Sequence, residues 1–175
     1  METEKQLPKK IKLFNFAKKE VKLRGSYKIN ALPRIFEIAR NAEDKIKVDL
    51  SFYLENNKTP CIKGIIDLKI FLDCQRCLEP FPLVLKVPFN LAFVRHESQV
   101  DGIDSNYEVY IIGEEEELDT IDLITDEILL SLPMSPSHDF DCSLKLDSNK
   151  KIVGEVHENP FNVLKNIKIA DFGKE

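Results

Sequence analysis

Cys74 and Cys77 stand three residues apart in a Cys-Gln-Arg-Cys segment, and His138 and Cys142 stand four apart further along the chain. Thiolates and imidazoles at such short spacings are the donors of tetrahedral zinc sites, commonly with one closely spaced pair on a turn. The four residues are therefore a candidate Cys3His set for one structural zinc. A second reading stays open beside it. Cys74 falls on the apolar parity of its strand, where a free thiol serves as a small core hydrophobe. A lone C-x-x-C with one distant His and Cys is also a weaker pattern than two C-x-x-C knuckles. Redox chemistry suits the pair less, because a thioredoxin-like C-x-x-C opens a helix in a βαβ unit, whereas Pro80, Pro82 and a strand follow here. Arg76, between the thiols, is a candidate cationic contact for phosphate or carboxylate, unless it pairs with Glu79. Cys61 lies on the opposite strand parity and reads as structural, and His96 and His157 sit in polar, solvated loops.

Other chemistry leaves no signature. Only six glycines occur, none in a phosphate-cradling G-x-G-x-x-G or G-x-x-x-x-G-K run. A G-x-S-x-G elbow and an H-E-x-x-H zinc helix are absent. No basic segment interleaves aromatics as an RNA-stacking RRM does. The neighbouring acids Glu114–Glu117 and Asp126-Glu127 have no accompanying motif and read as connector or helix surface.

The elements that must carry these residues are mostly strands. Period-two alternation puts Val21, Leu23, Gly25, Tyr27 and Ile29 on one face. It returns at Ile46–Leu54, then at Ile62–Leu72 after a Glu55-Asn56-Asn57-Lys58 turn signal, and at Leu83–Phe93 after the Cys74–Pro80 reversal. Gly64 interrupts an apolar row and predicts a bulge, while Pro82 and Pro88 suit an edge. One more strand is expected over 107–112. Helical spacing is read at 33–42, with Pro33 at its start, and at Ile121 to about Leu132, capped by Asp119 or Thr120 and stopped by Pro133. The core stripe of that second helix is read as Ile121, Ile124, Ile128 and Leu132. Residues 133–160 read as a long loop, and Phe161, Leu164 and Ile167 space a short C-terminal helix. The expectation is an α+β fold: a predominantly antiparallel sheet or partial barrel with two to three helices, one domain over 20–170, and a mobile basic arm over 1–19.

At 175 residues the chain can bury a core without disulfide staples. No apolar run approaches the roughly 18 residues of a membrane span, and the start lacks a secretory pattern, so a cytoplasmic protein is expected. The net charge of −5 argues against coating nucleic acid by bulk electrostatics. It hides a split: residues 1–50 carry 13 Lys/Arg against 7 Asp/Glu, whereas residues 95–147 carry 2 against 15. The basic head, with Lys9, Lys10, Lys18 and Lys19 as candidate RNA contacts, and the acidic middle, suited to a basic protein, could serve different partners. Equally, the two regions could face each other or water.

Three segments taken together resemble a known family: Asp73-Cys74-Gln75-Arg76-Cys77-Leu78-Glu79-Pro80-Phe81; then Ile121-Asp122-Leu123 through Asp126-Glu127-Ile128-Leu129-Leu130-Ser131-Leu132-Pro133 to Pro136-Ser137-His138 and Cys142; then Asn159-Pro160-Phe161-Asn162-Val163-Leu164. Their order and spacing, over about residues 20–168, are similar to the YceD-like large ribosomal RNA subunit accumulation proteins. The resemblance implies a bacterial or plastid factor needed for synthesis, processing or stability of 23S rRNA, with no established catalytic residues to carry over. The expected function is accordingly a non-enzymatic ribosome-biogenesis factor that binds pre-ribosomal RNA, a large-subunit ribosomal protein, or both, with no membrane and no small-molecule substrate. A metal-dependent RNA-processing enzyme using scattered carboxylates, and a zinc-stabilised adaptor without a ribosomal role, are the alternatives.

Overall fold

Alternation of apolar and polar residues builds most of the fold. The computed structural model describes residues 7–41, 44–56, 58–113 and 117–142. Strands β2 (Lys22–Lys28), β3 (Lys45–Glu55), β4 (Thr59–Asp73), β5 (Pro80–Val94) and β6 (Glu108–Ile111) form one sheet in that spatial order. The first four are antiparallel neighbours and β6 runs parallel to β5. The sheet stays open, not closed into a barrel, and the α+β expectation holds. A second, two-stranded sheet pairs β1 (Lys10–Lys12) with β7 (Glu117–Asp119).

One face of the large sheet is the core. β3 buries Ile46, Val48, Leu50 and Phe52, β4 buries Ile62, Ile66, Leu68, Ile70 and Leu72, and β5 buries Phe81, Val87, Phe89, Leu91 and Phe93. Removing such a side chain from water stabilises the fold by about 1.5–3 kcal/mol each. Helices α1 (Leu13–Lys18), α2 (Pro33–Phe36) and α3 (Thr120–Ser131) contribute Leu13, Ile35, Leu123, Ile124 and Ile128 to the same cluster. They therefore all cover this one face.

Several expectations are corrected. The segment read as a mobile arm is packed over residues 7–19: Leu7, Ile11, Leu13 and Ala17 are buried, and Thr120 N–H donates to the Lys9 carbonyl at 2.9 Å. Residues 33–42 do not form one helix. α2 stops at Phe36, and Arg40 N–H instead donates to the Phe71 carbonyl of β4 at 2.9 Å, which draws the chain onto the sheet. Gly64 makes no bulge, since the register runs unbroken through Leu50, Gly64 and Phe89. A methyl group at Gly64 would lie 2.6 Å from Phe89 Cε2 and closer still to Cζ, so glycine is there to admit the ring.

The prolines of β5 sit where expected. β6 pairs only with Leu91–Val94, leaving Pro80–Asn90 at an edge. Cys74 N–H donates to the Glu79 carbonyl at 3.0 Å, so alternation puts Pro80, Pro82 and Pro88 at non-hydrogen-bonded positions opposite β4, where no donor is missed. α3 begins as predicted: Asp119 Oδ1 accepts from the N–H groups of Ile121 at 2.8 Å and Asp122 at 3.2 Å. Its buried face is wider than the expected stripe, because Thr120, Leu123, Thr125 and Glu127 are also enclosed. The chain divides into two units, 1–143 and 144–175, and the described residues belong to the first. The C-terminal helix read at Phe161–Ile167 and the Asn159–Leu164 motif lie outside the described residues.

Candidate metal centre

The end of the long β4–β5 ladder makes the first half of the site. After Asp73 the chain reverses through Cys74–Glu79, closed by Leu78 N–H donating to the Cys74 carbonyl at 2.9 Å. Leu78 takes a left-handed φ of 63° to complete the turn. Asp73 is held by a forked contact from Arg40, whose Nε donates to Oδ1 at 2.9 Å. That bond, and the guanidinium charge behind it, hold the Asp73 carboxyl below its ordinary range.

The second half arrives after α3. Leu132 N–H still bonds the Ile128 carbonyl at 3.1 Å, and Pro133 follows, so the chain leaves the helix towards the turn. Gln75 N–H donates to the Pro136 carbonyl at 2.8 Å, and the Arg76 guanidinium donates to the carbonyls of His138 and, at 2.9 Å, Phe140. These bonds strap the 136–142 loop onto the turn. Arg76 thus binds the backbone of the neighbouring loop while remaining exposed. The His138 ring packs between Phe81 and Phe140, with centroids 5.0 and 4.7 Å away.

The four candidate ligands meet. Cys74 Sγ lies 3.5 Å from Cys142 Sγ, Cys77 Sγ lies 3.4 Å from His138 Nδ1, and all four donor atoms fall within 4.8 Å of one another. Bonds of about 2.3 Å to sulfur and 2.0–2.1 Å to nitrogen give a tetrahedron whose edges are about 3.8 Å between sulfurs and 3.6 Å from sulfur to nitrogen. The two measured edges are within a few tenths of an ångström of that size, so the donor set fits a metal ion. Cys74 is fully buried and the other three are half-buried.

The electrostatics point the same way. Burial alone works against an ionised Cys74, yet backbone N–H groups of Cys77, Arg76 and His138, with the Cys142 thiol, outweigh it and lower the group to about 5. Arg76 N–H lies 3.4 Å from that sulfur. Cys142 moves the other way, up to about 11, through burial and its contacts with Cys74 and Cys77. One negative charge is thus already stabilised at Cys74 and repels a second, which a bound cation would offset.

The other singled-out residues lie elsewhere. Lys9, Lys10, Lys18 and Lys19 are exposed around β1 and α1, and Lys10 Nζ pairs with Glu117 at 3.3 Å. Arg34 pairs with Asp126. The basic head and acidic middle therefore do face each other, with Lys10, Glu117, Asp119, Asp122 and Asp126 lining a concavity of about 340 Å³. Cys61 is buried on the other side of the sheet, where burial pushes its thiol up to about 11 and leaves it unreactive. Sequence reasoning missed Arg40, Gln75 and the strapping role of Arg76. Only the Arg76 position, between two candidate ligands, hinted at it.

An open, mainly antiparallel sheet with helices on one face, ending in a turn that shares a Cys3His cluster with the loop after α3, defines an α+β protein with a built metal-donor set. The family model described as "Large ribosomal RNA subunit accumulation protein YceD" matches residues 62–168. The Haemophilus influenzae protein called "Large ribosomal RNA subunit accumulation protein YceD" is 31% identical over 169 residues, covering 93% of this chain and 97% of its own. The chain belongs to the YceD family. No solved structure matches it. Among the described residues, no helix is long and apolar enough to cross a membrane.

Proposed function

We propose that the protein is a non-enzymatic ribosome-biogenesis factor that supports accumulation of 23S rRNA by binding pre-ribosomal RNA or a large-subunit ribosomal protein. The observation that carries this is the 31% identity to the Haemophilus influenzae protein of that name across nearly the full length of both chains. The cluster supports a structural part for the metal. Four protein donors complete a tetrahedral shell, whereas a catalytic zinc keeps a position open for water or substrate. Zinc is the ion this set selects, since three thiolates and an imidazole in a tetrahedron suit it. It would hold the 136–142 loop to the β4–β5 turn as a fixed surface. Lys9, Lys10, Lys18 and Lys19 offer exposed cations for RNA, and the acidic concavity suits a basic protein. The cytoplasm, where ribosomes assemble, is the compartment this role requires.

The test is depletion in cells that express the protein, followed by sucrose-gradient separation of ribosomal particles. A selective loss of large subunits and 23S rRNA is expected. Balanced subunits after depletion would remove the reading.

A further inference from the structure

The helices leave the second face of the large sheet uncovered. The 102–107 loop covers only its Tyr53, Cys61 and Ala92 end, and the side chains of the rest are biased in sign. The register fixes which residues share that face. One rung runs Lys22, Ser51, Lys63, Asn90 across β2 to β5, the next Arg24, Asp49, Ile65, Pro88, and the third Ser26, Lys47, Asp67, Lys86. Further along, Lys28 stands opposite Lys45, and Lys69 opposite Val84. The face thus carries eight cations against the four carboxylates of Asp49, Glu55, Asp67 and Asp73. All eight cationic side chains are exposed; the 102–107 loop reaches the first rung only at its Asn90 end, where Asn90 Nδ2 donates to the Asn106 carbonyl at 3.4 Å.

A merely solvated face would follow the composition of the chain, which is net negative. Lysines on β2 also have an ordinary explanation, because charge on an edge strand blocks pairing with other chains. Lys47 and Lys63 lie on the inner strands β3 and β4, where the explanation does not reach them, although it does reach Lys86 on the Pro80–Asn90 edge of β5. Lysine is depleted where proteins bind proteins, and aromatic residues are enriched there. Here the rings of Tyr53 and Phe71 are both half-buried, the first bonded to Asn90 and the second with Lys69 Nζ 5.1 Å from its centroid. With no exposed ring for a base to stack on, the chemistry that fits is contact with phosphate.

We infer that this uncovered sheet face is the RNA-binding surface of the protein, gripping the sugar–phosphate backbone of folded RNA through Lys47, Lys63 and Lys86, with little regard to sequence. The inference rests on the ribosomal reading above and names the surface that reading leaves open. Rungs lie about 6.8 Å apart along the strands, so the three ammonium groups spread over an area able to meet several phosphates at once. The rigid ladder beneath fixes their spacing.

The experiment uses in-vitro-transcribed 23S rRNA and the full chain, with binding measured from 0.1 to 0.4 M monovalent salt. Lys47→Gln, Lys63→Gln and Lys86→Gln together should weaken binding about 100-fold at 0.1 M salt and lower the slope of log affinity against log salt by about 2–3. The same substitutions at Lys9, Lys10, Lys18 and Lys19 should have the smaller effect. Far-UV circular dichroism checks that the variant is folded. As an independent measurement, the three lysines of the unaltered protein should be shielded from acetylation when RNA is bound. Wild-type affinity in the sheet variant, equal acetylation with and without RNA, or no RNA binding by the unaltered protein would each overturn the inference. In the last case a ribosomal protein would be the direct partner, and the depletion result would still stand. Balanced subunits on depletion, by contrast, would sink the ribosomal reading itself.

Discussion

Replacing Gly64 by alanine tests the packing of the β4–β5 ladder that carries the Cys74–Glu79 turn. The added methyl would meet Phe89 Cε2 at 2.6 Å and the rest of the ring edge more closely, where carbon atoms pack at about 3.5–4.0 Å. The ring must therefore retreat by more than an ångström, in a row where Phe89 is only 5% exposed. Overpacking of this kind costs about 1–3 kcal/mol. Alanine returns about 0.5–1 kcal/mol through the lower entropy of its unfolded chain. If the ring swings out to water instead, about 1.5–3 kcal/mol of burial is lost. A net destabilisation of about 0–2.5 kcal/mol, with a midpoint of about 1.3, follows from these ranges. Urea unfolding followed by circular dichroism reads it as a lower midpoint at unchanged slope. Adding Phe89→Leu to Gly64→Ala should recover part of the loss, because the shorter side chain vacates the space. Greater stability of Gly64→Ala alone, with no recovery on adding Phe89→Leu, would show that the ring does not lie over the glycine.

Two further outcomes are expected. Protein purified without an affinity tag should contain about one zinc per chain, lost in Cys77→Ser, and the Gln75 amide should exchange its hydrogen faster once the strap to Pro136 loosens. Metal near zero in the unaltered protein would reduce the cluster to core thiols. Glu127 is enclosed with Oε1 unbonded, and burial, then the charges of Glu108 and Asp126, raise its carboxyl to about 7. A raised acid favours the folded state least when ionised, so its cost is absent below about 4.5, grows as pH rises, and is complete above about 7, at up to roughly 3 kcal/mol. Glu127→Gln should thus gain on the unaltered protein between pH 5 and pH 8 in urea midpoint. A difference that does not change with pH would refute that assignment.

The strands were legible because their period is long enough to count. β3, β4 and β5 run 11, 15 and 15 residues, and their inward rows are buried as alternation requires, save for half-buried Leu54, Leu83 and Leu85. The 7–19 segment was not, since three residues of strand followed by six of helix complete neither period. α2 failed for another reason: Ile35, Ile38 and Ala39 have helical spacing, but a tertiary bond from Arg40 to β4 outweighs it. Glu127 reads as helix surface in sequence, and only the packing of α3 encloses it. The four candidate ligands were legible by type and spacing. Their meeting depends on Gln75, Arg76 and Pro136, whose part is played by backbone groups and by a side chain that every arginine shares.

Cys74 and Cys142 are 68 positions apart, and everything between them, from β5 through α3, must be made and packed before their sulfurs can touch. During synthesis the first pair of donors waits on a finished hairpin for the second. Closing so long a loop is entropically costly in an unstructured chain, by about 4 kcal/mol on a logarithmic law, but α3 removes most of that cost by delivering the loop to the turn. An ion captured by all four donors therefore rewards only the completed arrangement and no shorter intermediate. Occupancy of the cluster would be a chemical record that α3 has docked.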